Sequence, residues 1–342
     1  MSRIKRFVWL IGVWFIRILG APNNMKTPFF KRLYYNFRGY TADQVSLYDL
    51  NLKNVNEYLS EFDWYKSRKI NRKYEFILNN KLICNDLIKN YVRVPEIFLI
   101  KEKGNIVDYN SNKYTIAEVI DLIKSKKSVY FKPISVGKGI GVSLINYKTN
   151  KFFIDYKECN KEDIEKLLDF NDNYFISEAI VQDKYLNNIY DKTSNTIRLI
   201  TVRDNENKIN ILYAVQRIGT STTIPVDNGS QGGLVAKIDL TTGKLSAARS
   251  IKNKEIYKKH PDSHNNIEGV QIPNWDVIKN KAINLMEKLP YLKFVAWDLL
   301  ITEKDICVIE ANSSSGVNII QVFGGQKNKE LGKFFKENNV IK

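Results

Sequence analysis

The sequence predicts an α+β protein of two lobes behind a helical N-terminal region, on three observations. Amphipathic stretches and short β-type runs alternate from Asn80 to Val181 with no low-complexity linker. A glycine-rich loop, SVGKGIGV at Ser135 to Val142, lies between two of those β-type runs. Near the end, FVAWDLLITEKDICVIEANSSSG reads as a hairpin turning at Lys304 and Asp305. The chain has 342 residues and 44% hydrophobic composition, enough for a substantial core and for two or three lobes. Cys84, Cys159 and Cys307 stand far apart with no CxxC pair, which fits a reducing compartment, with the cytoplasm as default, and offers neither a disulfide framework nor a zinc knuckle.

Residues 1–42 form a basic amphipathic segment. Arg3, Lys5, Arg6, Arg17, Lys26, Lys31, Arg32 and Arg38 all precede the first acid, Asp43, and so carry much of the net charge of +16. The apolar run FVWLIGVWFIRIL is short for a bilayer span and is interrupted by Arg17. Trp9, Trp14 and Phe15 with flanking cations fit an interfacial segment on an anionic inner leaflet, where each cation contributes roughly 1 kcal/mol. Two alternatives stand: a helix packed on the protein, and a signal peptide, for which Pro22 after Ala21 is a poor cleavage context. Nucleic acid is the weakest reading of the charge, and no nucleic-acid partner is expected.

An N-terminal lobe is placed at 43–127. Asp49 to Ile77 reads as charged and helical, with Tyr58, Phe62, Trp64 and Tyr65 for a core face. In Asn80 to Tyr91, Leu82, Ile83, Leu87 and Ile88 share one helical face, and Ile97 to Ile100 follows as a strand. Thr115 to Lys127 is again amphipathic. A small lobe at 128–181 holds the strand Val129 to Lys132, the glycine-rich hairpin, strands at Leu144 to Tyr147 and Lys151 to Tyr156, a helix from Lys161 to Leu168, and a buried strand from Tyr174 to Val181. A large lobe at 182–342 has β-type runs at Asn195 to Val202 and Ile209 to Ile218, a polar loop from Gly219 to Gly233, a helix from Asn274 to Leu289, and the final hairpin.

The hairpin would bring together Asp298, Glu310 and Asn312, three hard oxygen donors of the kind magnesium takes alongside water and phosphate oxygens; an ordinary hairpin with charged ends is the alternative. Gly137, Gly139 and Gly141 permit close backbone approach to phosphates, or simply a tight turn. The loop fits neither a P-loop nor a dinucleotide fingerprint, because strand-like residues follow it. Lys132 lies between Phe131 and Pro133 in an apolar strand, where a cation is costly unless an anion meets it. Arg198 and Arg217 lie in apolar strands too and offer forks to a phosphate or carboxylate, or to a structural partner acid. Asp227 and Asn228 sit where turns commonly carry such residues. His260 and His264 are read as surface-loop residues without a catalytic role, since Pro261 breaks any shared helix.

Asn80-Lys81 opening a helix, Phe131-Lys132-Pro133 before the glycine-rich hairpin, Glu178 to Val181, then Asp298, Glu310 and Asn312 together resemble the ATP-grasp superfamily over roughly Lys81 to Gln321. Within it, NTIRLITV from Asn195, VDNGSQGGLVAKIDLTTGKL from Val226, and His260-Pro261 ahead of Gly269 are similar to the sugar-transfer associated family, implicated in bacterial cell-surface polysaccharides. The resemblance implies two α+β lobes clamping ATP, with Lys81, Lys132, Ser135, Gly137, Lys138, Gly139 and Gly141 at the phosphates. It implies Glu178, Ala179 and Val181 at the adenine, Asp183 as the nearest acid for the ribose, and magnesium on Asp298, Glu310 and Asn312. Arg198, Arg217 and Lys132 become catalytic candidates, and Asp227 and Asn228 substrate-side candidates. The implied reaction is an ATP-dependent carboxylate-amine ligation through an acyl phosphate, with carboxylate and amine or sugar substrates, at the inner face of the membrane. A sugar or alcohol kinase, or a nucleotide-binding scaffold, are the alternatives.

Overall fold

A computed structural model describes residues 3–137 and 139–342. α1 (Arg3–Val13) runs into a π-helical turn at Trp14–Leu19, and α2 (Phe29–Asn36) and α3 (Ala42–Leu47) follow. Thr41 and Gln44 close a capping box at the start of α3, and Ser60 with Asp63 does the same for α4 (Glu61–Ser67). α5 (Glu75–Asn79) leads to α6 (Lys81–Ile88), where the Asn80 carboxamide oxygen accepts from Leu82 N and Ile83 N.

The helical expectation for Asp49 to Ile77 is corrected: the segment breaks into α4, the start of α5, and 3-10 turns at Val55–Glu57 and Arg72–Tyr74. Its asparagines explain the breaks. Asn51 Oδ1 accepts from Lys53 N and Asn54 N, local bonds that compete with a helical ladder, while Asn71 is anchored on the second lobe by Lys293 N and Phe294 O.

β1 (Ile97–Glu102) and β2 (Asn105–Val107) form a hairpin, then come α7 (Ile116–Lys126), β3 (Ser128–Pro133), β4 (Ser143–Lys148), β5 (Lys151–Ile154), β6 (Lys157–Cys159), α8 (Lys161–Phe170) and β7 (Tyr174–Glu178). Among the described residues these strands make a seven-stranded sheet in the order β2-β1-β7-β3-β4-β5-β6. The boundary expected at 127/128 therefore falls inside one sheet, because β1 pairs β7 rather than anything in the preceding helices. Val119, Ile120 and Ile123 of α7 and Ile164 and Leu168 of α8 bury against Leu99, Val129, Phe131 and Ile145 of that sheet. The strand expected through Val181 ends at Glu178, and Val181 is exposed.

α9 (Lys184–Ile189) follows the crossing to the second lobe, then β8 (Ile197–Arg203), β9 (Ile209–Ile218), β10 (Leu234–Ile238), β11 (Leu245–Ser250), β12 (Ile256–Tyr257), α10 (Trp275–Glu287), β13 (Phe294–Ile301), β14 (Ile306–Asn312), α11 (Asn318–Gln321) and α12 (Glu330–Glu337). The second sheet runs β12-β11-β10-β9-β8-β13-β14. Helices cover both faces: Ile278, Ala282 and Leu285 of α10 pack on one, Leu331, Phe334 and Phe335 of α12 on the other. All eight residues of β13 are consequently buried. The N-terminal helices join this lobe through Tyr35, Tyr40, Val45 and Tyr48, which cluster with Val235 and Val322. No helix among the described residues is long and apolar enough to cross a membrane.

Candidate active site

A cleft of about 770 Å³, counted to its open mouth, lies between the two sheets. Its large-lobe wall begins with the alternation of β13, which puts Asp298 and Leu300 on one face. Opposite them on β14, Asp298 pairs Glu310 and Leu299 pairs Val308, so Ile309 is the extra residue of a β-bulge. That bulge turns both Ile309 and Glu310 toward the cleft.

Asp298 is the centre of a buried charge chain. Its Oδ1 accepts from Arg198 Nε at 2.5 Å, and its Oδ2 accepts from Arg198 Nη2 and Arg217 Nη1, both at 2.9 Å. Arg217 also pairs with Asp227 at 2.6 Å, and Asp227 accepts from Thr196 N and Thr196 Oγ1 at 2.7 and 2.6 Å. Burial alone would raise the Asp298 carboxyl, but the guanidiniums of Arg198 and then Arg217 hold it below its ordinary value, so it stays ionised. Arg217 is pushed down by burial and up by Asp227, Asp298 and Glu310, with a net rise that keeps its charge. The partner-acid alternative for both arginines is thus realised, with Asp298 and Asp227 as the acids.

Across the cleft, β3 carries Lys132, while α6, packed on β14, brings Lys81 in from the large-lobe side. Lys132 is 9% exposed, its ammonium is 4.4 Å from the Tyr130 ring centroid, and among the described residues it meets no carboxylate. Burial first, and Lys81 second, lower its pKa to about 8. Lys81 fixes the root of the glycine-rich loop: its backbone N donates to Ile134 O and its Nζ donates to Val136 O at 2.7 Å. Gly139 adopts φ +64° against the Val226 side chain, so the loop tip reaches the large lobe where only glycine is unstrained. Lys138 lies outside the described residues.

The remaining expected residues divide. Asn228 lines the cleft, and its Oδ1 accepts from Ser230 N and Ser230 Oγ. Glu178 lines the cleft near Ile180, but its carboxylate is held by Arg93 at 3.0 Å and by Glu96 N at 3.3 Å. Ser135, Gly137, Gly141, Ala179, Val181 and Asp183 are not brought to the cleft wall. Asp183 instead caps α9, its Oδ1 accepting from Tyr185 N. Asn312 also stands off the wall, with Nδ2 buried and without a hydrogen-bond partner.

The surface-loop reading of His260 is overturned. The ring is fully buried, stacks on Tyr190 at 4.4 Å, accepts at Nδ1 from Asp262 N and Ser263 N, and donates from Nε2 to Gly219 O. Burial lowers its pKa, so it is a neutral brace for the Gly219 loop. Sequence reasoning missed Tyr130, Ser194 and Thr196, which line the cleft. Tyr130 Oη meets Ser194 Oγ at 2.7 Å. The period-2 face shared by Tyr130 and Lys132 was the available signal for the first of these.

Chemically, the cleft joins an apolar part, with Ile180, Leu300 and Ile309, to a part with Lys81 and Lys132. Such a site suits a ligand with a flat apolar group and a polyanion. Asp298 has about one of four acceptor positions left after three arginine contacts, and Glu310 forms no ion pair among the described residues; the unpartnered atom of Asn312 is Nδ2, an N–H donor that no cation takes. That donor set fits a magnesium ion whose other ligands come from phosphate and water. Among the described residues, no group of three His, Cys, Asp or Glu forms a self-sufficient metal site.

The profile of the family described as sugar-transfer associated ATP-grasp matches residues 62–333. No curated protein compared with the chain matches it. Among solved structures, an ADP complex of N5-carboxyaminoimidazole ribonucleotide synthetase is similar at 11% identity and TM-score 0.41, over 70% of this chain and 46% of that one. VanG D-Ala:D-Ser ligase from Enterococcus faecalis is similar at 11% identity and TM-score 0.43, over 77% and 61%. D-Alanine-D-alanine ligase from Helicobacter pylori is similar at 12% identity and TM-score 0.42, over 81% and 69%. The chain thus spans less than half the length of the first of these proteins.

Proposed function

Since this chain belongs to the sugar-transfer associated ATP-grasp family, we propose that it is an ATP-dependent carboxylate-amine ligase acting on a sugar-linked or cell-surface polysaccharide precursor. The observation that carries the reading is the pairing of two ammonium groups, Lys81 and Lys132, that meet no carboxylate among the described residues, with a glycine-rich loop closing over them. A buried cation without a counter-charge is costly, and a polyphosphate supplies that charge.

In the proposed reaction a carboxylate oxygen of one substrate attacks the terminal phosphorus of ATP, and the bond to the bridging oxygen breaks to release ADP. The amine of the second substrate then attacks the acyl carbon of the acyl phosphate, phosphate leaves, and the surplus amine proton passes to solvent. Lys81 and Lys132 would hold the phosphates and stabilise charge on their outer oxygens. Arg217, its charge balanced by Asp227 and Asp298, would act at the cleft wall by holding those two acids in place. Asn228 stands on the substrate side of the same wall. Magnesium, held by Glu310, Asn312 and the free position on Asp298, would neutralise phosphate charge when bound. Contact of the first residues with the inner face of the membrane would bring the cleft to lipid-linked acceptors.

The test follows ADP and free phosphate while amino acids and sugar acids are screened in pairs. Release of both, dependent on two acceptors, supports the ligase. Phosphate retained on an acceptor would establish the kinase instead, and AMP with pyrophosphate would exclude the acyl-phosphate route.

A further inference from the structure

Much of the exposed apolar surface lies in the N-terminal helices, and it extends beyond the first residues. Val8, Ile11 and Phe15 follow i, i+3, i+7 spacing along α1 and its π turn and are 62, 41 and 56% exposed. Phe30, Tyr34 and Phe37 follow i, i+4, i+7 along α2 and its end and are 84, 39 and 69% exposed. The two stripes meet at Trp14, whose ring centroid is 5.0 Å from that of Phe15 and 5.5 Å from that of Phe37. Trp14 Nε1 donates to Asn36 O at 2.9 Å, and Asn36 Nδ2 donates to Tyr40 O at 2.8 Å. Ile18, Tyr35 and Asn36 are buried beneath, so the stripes are carried on a fixed platform.

Exposed Arg17, Lys26, Lys31 and Arg38 belong to the same helices and their link, with the Arg38 guanidinium 3.8 Å from the Tyr34 ring centroid. The sequence has no acid before Asp43. A second copy of this face would set cations against cations. An anionic bilayer instead offers negative headgroups over an apolar interior, and its interface favours aromatic rings flanked by Lys and Arg. We infer that α1, its π turn and α2 form one two-helix surface that lies in the interface of an anionic bilayer, with Phe29, Phe30 and Phe37 entering the acyl boundary. This deepens the membrane contact named with the proposed function, and its test does not depend on ligation.

The full chain is sedimented with vesicles of phosphatidylcholine plus phosphatidylglycerol, and with phosphatidylcholine alone. It should partition onto the anionic vesicles, less so in high salt. Phe30→Ser with Phe37→Ser should weaken partition about tenfold or more. Because Phe37 touches Trp14, Phe29→Ser with Phe30→Ser provides a second variant at two exposed positions. An unchanged ATP-induced thermal shift, or otherwise an unchanged circular dichroism spectrum, shows that either variant still folds. No partition of the full chain, undiminished partition of Phe29→Ser with Phe30→Ser, or a concentration-dependent dimer abolished by that variant would each overturn the inference, the last in favour of a second copy.

Discussion

Lys132 and Asp298 face each other across the cleft with opposite electrostatic histories. Burial holds the Lys132 pKa near 8 against an ordinary 10.5, so between those values the unfolded chain binds more protons there and this residue's contribution to stability rises with pH. Phosphate would reverse the depression by favouring the ammonium. ATP binding near pH 8 should therefore take up a fraction of a proton, seen as a buffer-dependent enthalpy in titration calorimetry, and should weaken as pH rises above 8. Lys132→Met should remove that uptake along with most of the affinity. Asp298 runs the other way. Its pKa is depressed below 3.8, so its stabilisation is complete above the unfolded value and is lost as pH falls through the lower folded one. Asp298→Ala would leave Arg198 and Arg217 buried without their shared acid, costing about 3–5 kcal/mol in urea unfolding, with Asp298→Asn milder. Loss of activity in the alanine variant would thus reflect folding as well as chemistry. Glu310→Gln is the cleaner probe of magnesium, since Glu310 forms no ion pair among the described residues.

At the scale of elements, the glycine-rich hairpin separates permissive from obligatory glycines. Gly137 has open space where a Cβ would go, whereas a Cβ on Gly139 would come to 2.7 Å from Val226 Cγ2 at a positive φ. Gly137→Ala should leave the KM for ATP within about twofold, while Gly139→Ala, bearing roughly 1–2 kcal/mol of left-handed strain, should raise it about tenfold. Equal effects would mean that the loop tip does not touch the Val226 loop when ATP is bound. The hairpin and its neighbours were legible because their signals are local: the Asn80 cap, the apolar strand around Lys132, and the turn between β13 and β14 each sit within a few residues. What was not legible depended on pairing between distant segments. Asp298 lies directly opposite Arg198 across the β13 and β8 register, one hundred positions apart, and no periodicity reports that. The same holds for β1 entering the small-lobe sheet beside β7, and for His260 buried against Tyr190 by the fold of its loop.

For the molecule as a whole, the question is whether the two sheets move against each other. The chain crosses between them twice, between α6 and β1 and again between β7 and α9, and both crossings are short. The first is tied down: Val308 N donates to Arg93 O, and Arg93 reaches Glu178 in a half-exposed ion pair contributing at most about 1 kcal/mol. Across the cleft itself, Lys81 donates to Ile134 O and Val136 O, Tyr130 Oη meets Ser194 Oγ and Pro225 O, and the Gly139 loop rests on Val226, while each sheet keeps its own core. Lobes with separate cores, joined mainly through polar contacts, are expected to open and close unless a ligand bridges them. A polyphosphate drawn to Lys132 on one side, and to Lys81 and magnesium on Glu310 on the other, is such a bridge. Small-angle scattering should therefore show a smaller radius of gyration with ATP and magnesium than without, and the contraction should vanish in Glu310→Gln if the metal carries the large-lobe half of the bridge. Contraction that persists in Glu310→Gln but disappears in Lys132→Met would leave closure to the phosphate contacts alone. An unchanged radius in the native chain, under conditions where ATP binds, would mean that the two lobes do not close on the nucleotide.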